Sequence, residues 1–356
     1  MKQGVNSEPC APKRQARKTT MKLATAIPIS AITKAVALGL TMLFVLPQVA
    51  MAQLAQTYPN KPIRIVVPYP AGGGIDVMSR AIGIQLSQRW GQPVIIENKS
   101  GAGTIVAAES VAKAAPDGYT LMITTDSTVT INQHLYAKLP YDPVKDFAPV
   151  TQLVFLNQLL LANAGIAPSN LKELIAYAKA NPGKLNYASY GSGSQPNLAM
   201  EMLKSQAGID IVHVPYKGIP QAVPAAIAGE VQLTFSGAAS SMAHLKSGRL
   251  KALAIGGKTR LGVVPDVPTF AEQGFPDIPS NAWFGLFAPA GTPRDVVMKL
   301  QSELSKILNE PDFNQREILA KGYELVSSRP DDFVAFLAQD SVRNARAVKI
   351  SGAKVE

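Results

Sequence analysis

The chain has 356 residues, of which 47% are hydrophobic, and this is enough for two globular domains with separate cores. Its formal net charge of +10 comes largely from the first 52 residues, which hold seven lysines and arginines and one acidic residue, so about +4 remains on the rest. A charge this small gives no reason to expect a nucleic-acid partner. The single cysteine, Cys10, also lies in this leader, so the rest of the chain has no disulfide, thiol nucleophile or cysteine metal ligand.

The first 52 residues have the pattern of a secretion signal. Basic residues precede an apolar run from Ala35 to Leu46, which is too short to span a bilayer but suits the core of a signal peptide. Ala50-Met51-Ala52 then offers a small-residue cleavage site, and Met21 would be a more ordinary start than Met1. The sequence therefore predicts a cleaved leader, residues 1–52, and a soluble periplasmic protein. A retained, uncleaved anchor is the alternative.

The chain is organised around a stretch that predicts a strand, a bare loop and a helix start. The β-branched residues of 63–67 predict a buried strand, and apolar side chains at helical spacing from Ile75 to Trp90 predict a helix. Gly72, Gly73 and Gly74 lie between them. Glycines leave the backbone open to a ligand, and the first N–H groups of a helix lack partners, so this stretch predicts an anion site. A tight turn that binds nothing is the alternative.

The same alternation of strand, loop and helix continues through the first half of the chain. A strand is predicted at 94–97, a second glycine loop at 98–103, a helix at 104–115 and a strand at 120–124. The loop that follows, residues 124–128, is rich in hydroxyl groups. Ligands of open α/β sheets bind at the carboxyl ends of strands, so this loop is a second candidate binding element.

A long apolar run, residues 150–162, exceeds one strand of a small sheet and indicates a passage between domains. Asn170, with Glu173 three residues later, predicts the capped start of a helix. The small-residue loop at 187–194 joins a strand to a helix and repeats the pattern of the first glycine loop. The two loops are therefore expected to face each other.

Further elements are predicted towards the C-terminus. The strands are predicted at 211–214, 231–235 and 251–255, with a small helix at 222–228 and an apolar segment at 283–288. A longer helix is predicted to begin at Pro293, with Thr292 as its cap and an apolar side along 297–308. Two further helices are predicted around a strand at 324–326.

The residues favour a binding module over an enzyme. His134, His213 and His244 have no metal-ligand spacing, and no G-x-S-x-G nucleophile elbow is present. The glycines of the two loops are out of register for a dinucleotide fingerprint. The sequence therefore predicts no cofactor, no metal and no catalytic residue. A periplasmic α/β enzyme acting on a small carboxylate is the alternative.

Eight phrases from Tyr58 to about Gly352 resemble the Bug family, the substrate-binding proteins of tripartite tricarboxylate transport systems. They read Y-P-N-K-P-I-R-I-V-V-P-Y-P-A-G-G-G-I-D, G-Q-P-V-I-I-E-N-K-S-G-A-G, A-P-D-G-Y-T-L, L-P-Y-D-P-V-K-D-F-A-P-V, K-L-N-Y-A-S, V-P-Y-K-G, P-D-V-P-T and W-F-G-L-F-A-P-A-G-T-P, in the family's order. The resemblance covers nearly the whole of the expected mature chain.

This resemblance implies a type II, Venus-flytrap periplasmic binding protein with two α/β domains and crossing hinge strands. The first domain would be residues 57–156 plus 286–356, and the second residues 157–285. The function implied is capture of a small di- or tricarboxylate, or a related organic acid, by domain closure, for a tripartite tricarboxylate-type transporter or for sensing. The implied partners are the ligand and the transporter's membrane subunits, whose presence the sequence does not show, and the protein would be a monomer.

The candidate ligand-binding residues follow from the matching loops. They are Pro70, Ala71, Gly72, Gly73, Gly74, Asp76, Thr125 and Ser127 in the first domain, with Ser189, Gly191, Ser194, Tyr216 and Ser236 in the second. Ser236 departs from the family, many of whose members have aspartate there. Because this carboxylate is missing, the sequence predicts a ligand with carboxylates and no amine. The alternative is that the serine arose by neutral drift and has no effect on the ligand. Neither the identity of the ligand nor a contact from Ser236 follows from the sequence.

Overall fold

The computed structural model describes residues 58–353, apart from residues 258 and 279. The predicted leader, residues 1–52, therefore lies outside the described residues. In the described part of the chain, no helix combines the length and the apolar character that a membrane crossing requires.

Strands and helices alternate along the chain as predicted. The strands are β1 (Ile63–Val67), β2 (Val94–Asn98), β3 (Thr120–Thr125), β4 (Phe147–Asn163), β5 (Asn186–Ser189), β6 (Val212–Pro215), β7 (Leu233–Gly237), β8 (Leu250–Ile255), β9 (Asn281–Pro289) and β10 (Tyr323–Leu325). The helices of eight residues or more are α1 (Gly74–Trp90), α2 (Ile105–Ala112), α3 (Leu171–Ala180), α4 (Gln195–Ala207), α5 (Ile219–Ala228), α6 (Ala238–Lys246), α7 (Arg294–Asn309) and α8 (Pro330–Ser351). Of these, α6 is an element that the sequence analysis missed.

Two groups of strands share the long strand β4. In the first group β1, β2 and β3 are parallel, and β9 runs antiparallel between β3 and the first part of β4. In the second group β5, β6 and β7 are parallel, while β7 and β8 pair antiparallel with the last part of β4. The strand order is β2-β1-β3-β9-β4-β7-β5-β6, and β10 and β8 also pair with β4. We call the two groups, with the helices packed on them, the first and second lobes.

The register of β4 shows where the lobes join. Asn157 pairs with Asn281 of β9, whereas the next residue, Gln158, pairs with Gly237 of β7. Strand β4 is therefore the crossing that the apolar run at 150–162 predicted. The whole of β9 pairs with β3 and the first part of β4, so the domain boundary expected after Gly285 falls inside a strand.

The C-terminal helix α8 contacts both lobes. Near its start, Phe333 packs edge-on against Trp283 of the first lobe, with ring centroids 5.5 Å apart. Near its end, Ala347 and Val348 belong to the apolar core of the second lobe. Helix α8 thus links the lobes, although the sequence analysis placed all of residues 286–356 in the first domain.

One predicted helix cap is confirmed and another is wrong. The side chain of Asn170 accepts the N–H of Glu173 at 2.9 Å. A Glu173 carboxylate oxygen accepts the N–H of Ser169, the residue before the cap, at 2.8 Å, so the contacts are shifted by one residue from a capping box. Helix α7 instead begins at Arg294, with Pro293 as its cap. The Thr292 hydroxyl donates to the carbonyl of Pro289 at 2.7 Å, so it closes the turn before the helix and does not cap the helix.

Candidate functional site

Asp76, in the first turn of α1, fixes the loop between β1 and α1. Its carboxylate accepts the backbone N–H of Gly72 at 2.9 Å, the side-chain amide of Asn98 at 2.9 Å and Nε of Arg80 at 3.1 Å. Burial alone would raise the pKa of Asp76, but these hydrogen bonds outweigh burial and the pKa is lowered. Asp76 is therefore an ionised anchor of the loop.

The three glycines of this loop meet different steric demands. Gly72 has a φ of +88°, a conformation that glycine adopts at little cost. A Cβ on Gly74 would lie 2.5 Å from the Tyr323 hydroxyl, so a side chain there would require Tyr323 to shift, whereas Gly73 has an ordinary φ of −76°. Among the described residues, the N–H groups of Gly74 and Ile75 have no hydrogen-bond partner. The loop thus leaves free donors at the start of α1.

The carboxyl end of β3 lies against this loop. The hydroxyl groups of Tyr69 and Thr125 are 2.8 Å apart, which joins the two segments. The next residue, Asp126, is buried and accepts the N–H of Ser127 at 2.8 Å. Burial, together with the nearby carboxylate of Asp340, raises the pKa of Asp126 to about 7. A carboxyl group that titrates near neutral pH therefore lies at the end of this strand.

A first cavity of about 100 Å³ lies where the two lobes meet. Five of the predicted site residues line it: Pro70, Gly73, Gly74, Thr125 and Ser127. Asp126 and Gln158 add polar groups, while Leu156, Ile219 and Phe284 are among its apolar lining residues. No lysine, arginine or histidine is among the described residues that line this cavity. An anion bound here would depend on neutral donors.

A second cavity of about 270 Å³ adjoins the first. Gly191 and Ser194, two predicted site residues of the second lobe, line it. Tyr69, Ser127 and Tyr190 border both cavities. The Tyr190 hydroxyl lies 3.2 Å from both Oε1 of Gln158 and the carbonyl of Phe235, to either of which it donates. Burial raises the pKa of Tyr190, so this hydroxyl stays protonated.

Ser189 holds together the loop between β5 and α4. Its hydroxyl lies 3.0 Å from the carbonyl of Gly191 and 2.6 Å from Nε2 of His213. This serine–histidine pair resembles half of a catalytic triad, but Ser189 is fully buried and neither residue is among those that line the two cavities. The pair therefore shapes the loop.

The remaining predicted site residues are not among those lining either cavity. They are Ala71, Gly72, Asp76, Ser189, Tyr216 and Ser236. Ser236 pairs with Leu159, whereas its neighbour Gly237 pairs with Gln158, which lines the first cavity. Because successive side chains of a strand point to opposite faces, Ser236 lies on the face away from that cavity. Its buried hydroxyl has no hydrogen-bond partner within the described part of the chain.

Asp126 and Tyr190 are two of the side chains at the first cavity that the sequence analysis missed. Asp126 is the single carboxylate of a hydroxyl-rich loop at a strand end, and this signal was available in the sequence. Tyr190 is the one large side chain of the small-residue loop between β5 and α4. Its position could not be read from the sequence, because it depends on how the second lobe approaches the first.

Two α/β lobes joined by crossing strands, with cavities where their loops meet, define the periplasmic solute-binding proteins. Residues 78–352 match the TctC family, described as "Tripartite tricarboxylate transporter family receptor". The chain belongs to this family. It is 34% identical over 303 residues to the protein BugT of Bordetella pertussis, an alignment that covers 85% of this chain and 93% of BugT.

Solved structures give the same result. A Rhodopseudomonas palustris protein with adipate has a TM-score of 0.79 and 31% identity, and the match covers 84% of this chain and all of that one. The protein MatC of the same organism, with bound malate, has a TM-score of 0.75 and 34% identity, covering 82% of this chain and all of MatC. The predicted fold class and family are confirmed.

Proposed function

We propose that this protein is an extracytoplasmic solute-binding protein that captures a small carboxylate by closure of its two lobes. The free N–H groups of Gly74 and Ile75, both at the first cavity, are the observation that carries the proposal. Adipate and malate, present in two similar solved structures, are carboxylates and support it. The remaining proposals are a periplasmic location after cleavage of the leader, a monomer, and delivery to membrane subunits of a tripartite-type transporter or to a sensor.

Closure is needed because the start of α1 binds an anion weakly by itself. The helix terminus contributes about 0.3–2 kcal/mol, whereas micromolar affinity requires about 8 kcal/mol. Hydrogen bonds to a charged group add about 1.5–3 kcal/mol each. Tyr190 and Gln158 of the second lobe lie at the same cavity, and we infer that they reach the ligand when the lobes close on it. The closed conformation therefore signals that a ligand occupies the site.

A thermal-shift screen of residues 53–356 tests this function. The panel comprises mono-, di- and tricarboxylates, amino acids and aromatic acids, with chloride at equal ionic strength as the control. We expect at least one carboxylate to raise the melting temperature, and isothermal calorimetry then gives its affinity. The absence of a shift with every carboxylate would overturn the proposal. Assays for consumed carboxylate in the same wells test the enzyme alternative, which predicts turnover.

Two further measurements address location and assembly. Cell fractionation is expected to place the protein in the periplasm, with the N-terminus of the mature protein near Gln53. Light scattering after size exclusion is expected to show a monomer. Recovery in the membrane fraction with an intact leader would favour the retained anchor.

A further inference from the structure

The first cavity is lined by an acidic side chain that no basic lining side chain in the described part of the chain balances. Asp126 lines it, and among the described lining residues there is no cationic side chain to balance that carboxyl group. Arg343 is near enough to lower the pKa of Asp126, but burial and Asp340 act in the opposite direction and prevail. A ligand in this cavity therefore meets one acid and no base.

The N–H groups that could bind an anion and the apolar side chains of the first cavity come from different elements of the fold. The free N–H groups belong to Gly74 and Ile75, at the start of α1. Leu156, Ile219 and Phe284 supply apolar surface from β4, α5 and β9. A charged group buried on such surface without a partner loses its hydration and gains nothing in return.

From this arrangement, and resting on the proposed function, we infer that the ligand has one carboxylate and a mainly apolar body, and that Asp126 determines this specificity by excluding a second carboxylate. The cavity volume of about 100 Å³ is smaller than the roughly 150 Å³ of an apolar cavity that admits benzene, so it limits the ligand to a small body. The inferred ligand differs from adipate and malate, the ligands present in two similar solved structures, because each of those acids carries two carboxylates.

Three six-carbon acids that differ only at the far end test the inference. Hexanoate ends in a methyl group, adipate in a carboxylate and 6-aminohexanoate in an ammonium group. Calorimetry at about pH 8, where Asp126 is ionised, should show that adipate binds about tenfold more weakly than hexanoate or worse. 6-Aminohexanoate, whose ammonium group can pair with Asp126, should bind more tightly than adipate. Equal or tighter adipate binding would overturn the inference and leave the proposed function intact. Binding of 6-aminohexanoate as weak as that of adipate would show that Asp126 does not act through its charge and would overturn its role.

The variant Asp126→Asn tests the residue itself. It removes the charge and keeps the size and an acceptor oxygen for the N–H of Ser127, so the ratio of adipate to hexanoate dissociation constants should fall several-fold. Asp266→Asn makes the same change at an exposed position and should leave the ratio at its wild-type value. An unchanged ratio in Asp126→Asn would overturn its role. If that variant fails to fold, the three-acid comparison in the wild type still decides the inference. Failure of all carboxylates to bind would overturn the proposed function as well.

Discussion

The hydroxyl groups of Tyr69 and Thr125 lie 2.8 Å apart and join the loop after β1 to the end of β3. Tyr69 also borders both cavities. This hydrogen bond therefore positions the glycine loop against the second binding segment of the first lobe. Burial raises the pKa of Tyr69 to about 12, so its hydroxyl remains protonated across the physiological range.

Tyr69→Phe should weaken carboxylate binding several-fold and reduce the free energy of unfolding by about 0.5–1.5 kcal/mol, because one partly buried hydrogen bond is lost. Calorimetry and urea denaturation measure the two effects. Tyr177→Phe, on the outer surface of α3, is the matched control and should change neither. Binding at wild-type strength in Tyr69→Phe would show that the loop keeps its position without this contact.

Gly73→Val should abolish binding while lowering the melting temperature only modestly. Gly73 has an ordinary φ, and the nearest atom to an added Cβ is the carbonyl oxygen of Pro70 at 3.9 Å, so the unliganded fold accommodates the side chain. The added methyl groups would instead stand beside the free N–H groups at the start of α1. Gly262→Val, at an open position away from the cavities, is the control. Retained binding in Gly73→Val would place the anion site elsewhere.

Gly193→Ala should impair closure. Leu135 follows β3 but belongs to the apolar core of the second lobe, and its side chain occupies the space that a Cβ on Gly193 would need. Small-angle scattering should show that the carboxylate which binds best in the screen reduces the radius of gyration of the wild type but not of the variant. Gly208→Ala shares the positive φ without the crowding and should close normally. If the radius of gyration of the wild-type protein stays the same when the ligand is saturating, hinge closure itself is contradicted.

Asp126→Asn should also change how stability depends on pH. The pKa of Asp126 is about 7 in the folded protein and near 3.8 in an unfolded chain, so between these values the folded state holds a proton that the unfolded state has lost. Raising the pH through this window therefore destabilises the wild type relative to the variant. Each pKa unit corresponds to about 1.4 kcal/mol, so the advantage of the variant should grow by on the order of 2 kcal/mol between about pH 5 and about pH 8.

Urea denaturation at the two pH values measures this change. Asp340 and Arg343 are the charged groups that act on Asp126, and both are present in the wild type and the variant, so the difference between the two profiles reports the charge at residue 126 together with its coupling to these two groups. Parallel stability profiles would show that Asp126 keeps an ordinary pKa in the folded protein.

The elements of this fold could be predicted because their signals are local. The β-branched run at 63–67, the helical spacing from Ile75 and the Asn170–Glu173 cap each depend on a few neighbouring residues. The crossing strand was recognisable because residues 150–162 are too apolar and too long for one strand of a small sheet. The family phrases then determined the class of protein.

The composition of the site depended on contacts between distant segments, and only the tertiary structure decided it. Ser236 lies away from the first cavity because of its register against Leu159, and helix α8 reaches the second lobe because its end packs on α4. Asp126 titrates near neutral pH because folding buries it near Asp340, more than two hundred residues later in the chain. By itself, the sequence determined the strands, most helices, the glycine loop and the family. The tertiary structure decided which side chains share a cavity and what charge they present, since burial and register exist only after the lobes assemble.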